Sequence, residues 1–208
     1  MNERSPSRAA LLELQDERHA MREGHVFLDE KCLLLAGEML RQLAAQARLE
    51  RRLLACHEAA MHALAAALGR HGLQGLQVQP VPAAAGRLHA SGTSLMGVAL
   101  QQARCEPDAA ADAVPPPVVP SPEARACRAA FAALLEAAAP LAAVNGNLER
   151  LSQEYRRSVR RARALQDVLL PEIEREWLDM GGALDELEQQ DLVSMRAPGR
   201  RAAAQAGG

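Results

Sequence analysis

The sequence predicts an all-α protein, a long antiparallel two-helix coiled coil (a helical hairpin) with a short irregular or β-hairpin middle region. Hydrophobic residues make up 49% of the 208 residues, yet aromatic residues make up only 2%. Large aromatic side chains supply much of the buried area of a globular core. A chain that takes its apolar content from alanine and leucine is instead typical of long paired helices. Prolines and glycines concentrate in the middle of the chain and separate two segments with helical periodicity.

Residues 1–72 are predicted to form the N-terminal coiled-coil helix. Ser5-Pro6-Ser7 offers a hydroxyl cap and a proline suited to a first helical turn. Two series then recur with a period of seven: Leu14, Met21, Leu28 and Leu35, and beside them His25, Cys32, Met39, Gln46 and Leu53. Alternating steps of three and four keep both series on one side of a helix, where a partner helix would cover them. Three glycines at 69, 72 and 75 are expected to end it.

Residues 73–120 are predicted to be the middle region, because they hold most of the helix breakers. Residues 73–80 alternate weakly, as a short strand would, and residues 94–100 could supply a second strand. From Ala109 to Pro120 a run of three prolines indicates an extended or mobile linker. We therefore expect a small two-stranded element followed by a linker.

Residues 121–197 are predicted to form the C-terminal coiled-coil helix. Ser121-Pro122-Glu123 again places a cap before a proline and an acid. Apolar residues continue in steps of three and four, with consecutive fours around Leu169 that change the supercoil locally. Pro140 and Pro171 should bend or weaken this helix. The small and polar tail, residues 198–208, is expected to be disordered.

The two helices should pair along an apolar seam, since neither can bury its stripe alone. The predicted seam residues are Leu14, Met21, Leu28, Leu35, Leu53, Leu148, Leu165, Ile173, Met180 and Leu187. One antiparallel register sets Leu14 beside Leu187 and Met21 beside Met180. A heptad repeat allows the same packing one heptad away in either direction, so the exact register stays open.

No catalytic, cofactor-binding or metal site is predicted. His57 and His62 lie five residues apart, about 140° around a helix, whereas a zinc-binding helix needs its histidines four apart. The glycine triplet that ends the first helix is not followed by Lys-Ser or Lys-Thr, so it is not a phosphate-binding loop. Scattered serines without a paired histidine and acid offer no nucleophile.

The net charge, the N-terminal segment and the cysteines argue against several classes of protein. A net charge of −2 gives no reason to expect nucleic acid as a partner. The N-terminus is charged where a signal peptide is apolar, and no apolar run near 18 residues suggests a membrane span. Four cysteines without a CxxC pair are expected to be reduced thiols within helices. These features predict a cytoplasmic protein without direct membrane insertion.

One block of positive charge stands out in the C-terminal helix, followed by an acidic stretch between residues 172 and 191. The block consists of Arg156, Arg157, Arg160, Arg161 and Arg163. Such a run is usually a solvated helix face. The alternative is that these charges contact surrounding subunits, so the five arginines are candidate contact residues.

Four motifs in order resemble the D-subunit family of V/A-type rotary ATPases. Residues 5–14 followed by Gly24-His-Val-Phe-Leu-Asp-Glu-Lys31 resemble its opening helix, and Ser94-Leu-Met-Gly-Val98 its middle segment. Arg160-Arg-Ala-Arg-Ala-Leu-Gln-Asp-Val-Leu-Leu-Pro171 is similar to its proline-containing signature, and residues 184–188 to its C-terminal stretch. Arg163, Gln166 and Asp167 depart from the family pattern, as do the paired glycines at 181 and 182.

The resemblance implies a central-stalk rotor shaft with no active site and no cofactor. Its two terminal ends would enter an A3B3 catalytic hexamer, and its lower part would bind the F subunit and the subunit connecting to the membrane ring. Rotation would couple ATP synthesis or hydrolysis to the transport of hydrogen ions or another ion, at the cytoplasmic face of the membrane.

Two other classes remain open from the sequence. A free-standing coiled-coil scaffold would show the same heptads, and copurification with A, B and F subunits would distinguish the two. The gamma subunit of an F-type enzyme also has long paired helices, but the breaker-rich residues 73–120 are short for its larger middle domain.

Overall fold

A computed structural model describes residues 5–79, 86–106 and 120–205. It confirms the predicted fold class of long helices with a β-hairpin between them. In chain order the elements are α1 (Arg8–Gln77), β1 (Arg87–Leu95), β2 (Val98–Glu106), α2 (Pro122–Ala164), a π-helical turn (Leu165–Leu169) and α3 (Leu170–Gln205).

The chain divides into two compact units. The terminal unit combines residues 1–32 with residues 157–208, and the hairpin unit comprises residues 33–156. In the terminal unit Arg8 lies 2.6 Å from Glu188 and Arg22 lies 2.6 Å from Glu174. Residue numbers rise along one helix as they fall along the other, so the pairing there is antiparallel.

The hairpin unit has its own small core. Leu35 from α1 and Leu151 from α2 are fully buried, and Val98 and Leu100 of β2 pack with them. Further along the same two helices, the His71 ring nitrogen Nε2 lies 2.6 Å from the Ser121 hydroxyl. These two contacts show that α1 and α2 also run antiparallel within this unit.

Helix α1 extends beyond the three glycines that were predicted to end it. Gly72 adopts φ 66° and ψ 170°, a conformation that glycine reaches without steric cost, and it kinks the helix there. The helix then resumes and ends at Gln77. The prediction of a strand at residues 73–80 is therefore wrong as far as Gln77, because leucine and glutamine are good helix formers and their weak alternation did not outweigh that preference.

The β-hairpin forms around a two-residue turn. Leu95 pairs with Val98, and the intervening Met96 and Gly97 both have positive φ angles, 49° and 83°. Positive φ at both central residues is the type I′ geometry that matches the twist of a hairpin. The predicted second strand, residues 94–100, is thus the end of β1, the turn and the start of β2.

Serine hydroxyls cap both long helices, as the sequence predicted. Ser7 Oγ accepts a 3.1 Å hydrogen bond from the Ala10 amide, and Ser121 Oγ accepts one of 3.1 Å from the Ala124 amide. Each hydroxyl satisfies one of the backbone donors that a helix leaves unpaired in its first turn. Pro140 lies inside α2 without ending it.

The π-helical turn explains the irregular apolar spacing near Pro171. The least exposed positions follow steps of four and three through Ser158, Ala162 and Leu165, but the next buried residue, Ile173, lies eight positions after Leu165 instead of seven. A π turn accommodates one extra residue. Within it the Leu170 amide donates to the Leu165 carbonyl, five residues back, just ahead of a proline that cannot donate.

The C-terminal flank is helical further than the sequence predicted. The tail was expected to be disordered from Pro198, yet α3 continues to Gln205, since three alanines at 202–204 favour a helix. The predicted proline-rich linker lies outside the described residues except at Pro120.

The prediction that the chain has no apolar run of about 18 residues, the length that a membrane span needs, is wrong. Within Pro122–Ser194 an 18-residue window reaches a mean hydropathy of 1.5, and 22% of that window is buried. By length and composition alone this helix could cross a membrane. The core helix of a soluble protein passes the same test, so the finding is weak evidence for a span.

Candidate functional site

The described parts of the chain hold little that resembles catalytic or metal chemistry. Within residues 5–79, 86–106 and 120–205, no group of three or more His, Cys, Asp or Glu side chains could hold a metal ion. His57 and His62 are both exposed on α1. These histidines therefore give no support to a metal site.

An open groove of about 490 Å³ lies in the hairpin unit beside β2. Arg52 of α1, Arg104 and Glu106 of β2, and Glu136 of α2 contribute charges of both signs to its lining. Cys105 also lines it, but the groove-lining residues include no histidine that could act as its base. The groove offers space without a catalytic arrangement.

The predicted seam residues of the terminal unit differ in burial. Leu14 and Ile173 are buried, whereas Met21, Leu28, Leu165 and Met180 are half-buried. Leu187 is 45% exposed, which differs from the expectation for a seam position. The register also differs from the predicted one. The predicted register places Asp179 beside Arg22, whereas Arg22 pairs with Glu174, five positions earlier in the sequence.

The predicted seam residues of the hairpin unit are Leu35, Leu53 and Leu148. Leu35 is fully buried, and the other two are half-buried. Along α1 the less exposed positions keep the alternation of four and three through Ala60 and Ala67, which are both fully buried. Alanine at these positions lets two helix backbones approach closely, so the heptad pattern extends beyond the leucines that the sequence analysis named.

All five arginines of the predicted contact block are exposed: Arg156, Arg157, Arg160, Arg161 and Arg163. Ser158 and Ala162, between them, are buried. Among the residues that the structure describes, none of the five arginines has an ion-pair partner. Their charges therefore remain available to another molecule.

The acidic stretch of α3, by contrast, is partly engaged by α1 of the same unit. Arg8 and Arg22 form the two ion pairs described above, and Arg18 lies 4.6 Å from the centre of the Trp177 ring. The Glu188 carboxylate raises the pKa of Arg8, first through the hydrogen bond and then through its charge. Exposed ion pairs contribute little to stability, so these contacts show which residues of the two helices lie opposite each other and add little to the free energy of unfolding.

A polar clasp that the sequence analysis missed holds the β-hairpin on α2. Asn147 is 3% exposed, and its amide accepts a 2.7 Å hydrogen bond from the Gln101 amide and donates one of 2.8 Å to the Gln101 carbonyl. Arg150 donates to the Ala99 carbonyl and to Asn147. The side chains thus satisfy the outer backbone edge of β2. The only signal in the sequence was an asparagine within an apolar helical stripe.

The remaining groups of chemical interest are the four cysteine thiols and the carboxylate of Glu123. The four cysteines are free thiols, with Cys127 buried, and Cys105 lies in β2 instead of a helix. Burial, followed by the charge of Asp29, raises the pKa of the Cys32 thiol. The pKa of Glu123 is lowered, first by a backbone hydrogen bond at the start of α2. Neither group sits in a site with a substrate-binding geometry.

Comparison with known proteins gives one positive finding. Residues 10–197 match the family model described as the ATP synthase D subunit. The match spans both compact units and includes residues from every helix and strand described above. No curated protein matches the chain.

Proposed function

We propose a function from the premise that the chain belongs to the ATP synthase D-subunit family, a family of rotary-ATPase stalk subunits. The chain is the central rotor shaft of a V/A-type rotary ATPase. It couples ATP synthesis or hydrolysis in an A3B3 head to ion translocation across the membrane by rotation. The observation that carries the proposal is the family match over residues 10–197.

A shaft needs resistance to twisting, and the paired helices are suited to supply it. In each unit α1 is held against a C-terminal partner helix by buried apolar residues, Leu14 and Ile173 in one and Leu35 and Leu151 in the other. Interdigitated side chains in a seam resist relative rotation because they are close-packed. This property supports a mechanical role.

A shaft also needs an asymmetric cross-section. In the hairpin unit the β-hairpin packs against the helix pair through Val98 and Leu100 and is held by Asn147. An asymmetric rotor presents different contacts to three catalytic interfaces, so each interface has a different nucleotide affinity at a given angle. Rotation then changes these affinities in sequence, which is coupling through differential contacts.

The proposed partners are the A and B subunits, the F subunit and the subunit connecting to the membrane ring. The complex would place the chain at the cytoplasmic face of the membrane. The chain itself performs no catalysis in this proposal, and ATP is bound and hydrolysed by the head. The exposed arginines between residues 156 and 163 are the proposed contacts to the head.

Purification of the tagged chain under native conditions tests the proposal against a free-standing scaffold. A rotor shaft is expected to copurify with A, B and F subunits in a complex that hydrolyses ATP, while the isolated chain has no hydrolytic activity. Recovery of the chain without these subunits would favour the scaffold. Robust ATP turnover by the isolated chain would contradict the proposal directly.

A further inference from the structure

The β-hairpin is attached to the helices near its tip and much less at its open end. Close to the tip, Val98 and Leu100 pack in the core of the hairpin unit, and the Asn147 side chain binds the backbone of Gln101. At the open end, residues 87–91 of β1 are all exposed. A two-stranded ribbon is only marginally stable unless something packs against it. The open end therefore has less support than the tip.

The groove beside β2 lies under this open end. Ala103 and Cys105 of β2 line the groove of about 490 Å³, opposite residues of α1 and α2. Backbone groups on one edge of a strand belong to alternate residues, so those of Ala103 and Cys105 continue the edge that Asn147 binds at Gln101. Among the described residues, no side chain of α1 or α2 binds the edge at these two positions. The groove thus separates the open end of the hairpin from the helices.

A glycine lies at the point where the attached part of the hairpin ends. Gly92 of β1 pairs with Gln101 of β2, the last residue that Asn147 binds. A glycine inside a strand has no side chain to pack and restricts its backbone less than any other residue, so strands bend there readily. The fixed tip and the open end are therefore joined at a residue suited to bending.

The two walls of the groove carry complementary charges. Arg104 and Glu106 lie on β2, Arg52 lies on α1 and Glu136 on α2. No ion pair joins the two walls within the described parts of the chain, and Glu106 lies 3.6 Å from His89 of the hairpin itself. Each wall therefore offers one positive and one negative group that can attract its opposite on the other wall.

We propose that the open end of the β-hairpin is a strap that bends at Gly92 and closes onto α1 and α2. Closing pairs Arg52 with Glu106 and Glu136 with Arg104, while the Asn147 contact keeps the tip in place. The groove is open in the conformation described above and is filled when the strap closes. Exposed ion pairs are worth little individually, so the two positions are close in free energy and salt shifts the balance between them. The inference concerns the chain by itself and does not depend on the rotor proposal.

Distance measurements by double electron–electron resonance test for the two positions. The full chain carries nitroxide labels on p-acetylphenylalanine at the exposed positions Ala90 of β1 and Ala133 of α2, which leaves the native cysteines in place. At low salt we expect two distances, the longer from the open groove and the shorter from the closed strap. In about 1 M NaCl, where charges are screened beyond about 3 Å, the shorter distance should become several-fold less frequent. A single distance that salt does not change would overturn the proposal.

A charge swap tests the pairing across the groove. Arg52→Glu should lower the ratio of short to long distances by about fivefold, because one attraction is replaced by a repulsion. Adding Glu106→Arg in the same chain should restore most of the ratio, since the pair forms again with its charges exchanged. The matched control is Arg48→Glu, exposed on the same helix one turn earlier and outside the groove lining, which should change nothing. A swap that restores nothing, or a control as effective as Arg52→Glu, would contradict the proposal.

Substitution of Gly92 tests the bending point. A Cβ atom there would lie 3.7 Å from the Leu100 carbonyl oxygen, an ordinary contact, so Gly92→Val should fold. Valine favours a regular strand and should resist bending, so the short distance should largely disappear. Ser91→Val, at the exposed neighbouring position, is the control and should keep both distances. A short distance as frequent in Gly92→Val as in the wild type would show that the strap does not bend there and would overturn the proposal. Failure of any of these tests leaves the rotor proposal unchanged, because copurification with A, B and F subunits is measured separately.

Discussion

Asn147 is the residue whose single substitution tests how the β-hairpin is held. Its amide makes both hydrogen bonds to the backbone of Gln101, and it is almost completely buried. Asn147→Ala leaves that backbone donor and acceptor without their partner, which should lower the free energy of unfolding by about 1–3 kcal/mol. Asn145→Ala, two residues earlier and exposed, is the matched control and should change little. Equal urea midpoints for the two variants would show that the clasp contributes no stability.

Ile173 tests the seam of the terminal unit at the same scale. It is 4% exposed, whereas Leu178 on the same helix is 63% exposed. Ile173→Asp buries an unpaired carboxylate and should destabilise the protein by more than about 3 kcal/mol. Leu178→Asp introduces the same group into water and should cost less than about 1 kcal/mol. Thermal unfolding of both variants measures the difference, and comparable losses would mean that the seam lies elsewhere.

Among individual residues, the positions of the predicted seam range from buried to exposed. Leu14 and Leu35 follow a strict period of seven on α1 and are buried. The pairing between helices was not predictable to the residue, because a heptad repeat is satisfied again after each shift of seven. Leu187 is an example: it continues the apolar pattern of the sequence, yet its side chain is exposed.

At the scale of elements, the hairpin shows a different limit. Eight of the nine residues of β1 are exposed. Its alternation of polar and apolar residues is short, from Arg87 to Ser91, and includes only one large apolar side chain, Leu88, so the strand signal was weak. The turn is Met96-Gly97, which lacks the Asn-Gly or Asp-Gly pair that usually indicates a type I′ turn. The sequence therefore indicated a two-stranded element but misplaced both strands.

The π-helical turn is an element whose role can be tested by deletion. It absorbs one extra residue between Leu165 and Ile173, so deleting the exposed Asp167 in a Pro171→Ala background should restore a spacing of seven. We expect the shortened chain to be at least as stable as its Pro171→Ala parent, because the seam is kept and the helix becomes regular. The measurement is thermal unfolding with helix content followed by circular dichroism.

Deletion of Glu176 in the same background is the matched control. Glu176 is also exposed, but no π turn follows it to absorb the change. Trp177 and Met180 would rotate by about 100° away from the seam, and each displaced side chain should cost about 1–3 kcal/mol. Equal stability of the two deletion variants would show that the π turn does not set the register.

For the whole molecule, the proposed rotor requires that contacts with surrounding subunits depend on angle. The arginine block between residues 156 and 163 is suited to such contacts, because its side chains are exposed and have no ion-pair partner in the described structure. Individually, exposed charge pairs are worth about 1 kcal/mol or less. Several acting together could shape a torque profile, although none would be essential alone.

Charge reversal of three of these arginines tests that role in the intact complex. Arg157→Glu, Arg160→Glu and Arg161→Glu together should leave the thermal stability of the isolated chain nearly unchanged, since all three side chains are exposed. Three contacts of about 0.5 kcal/mol each would weaken the association of this face with the head by roughly tenfold. We expect the number of ions moved per ATP hydrolysed to fall as a result.

The matched control reverses three exposed arginines outside the block, Arg87, Arg104 and Arg125, and should pump normally. The comparison requires membrane vesicles in which ATP hydrolysis and ion uptake are measured together. A loss of uptake with hydrolysis preserved would separate coupling from assembly, because a complex that fails to assemble loses both. Wild-type ion uptake after reversal of the block would show that these arginines contact only solvent. The angle-dependent contacts of the shaft would then have to come from other residues.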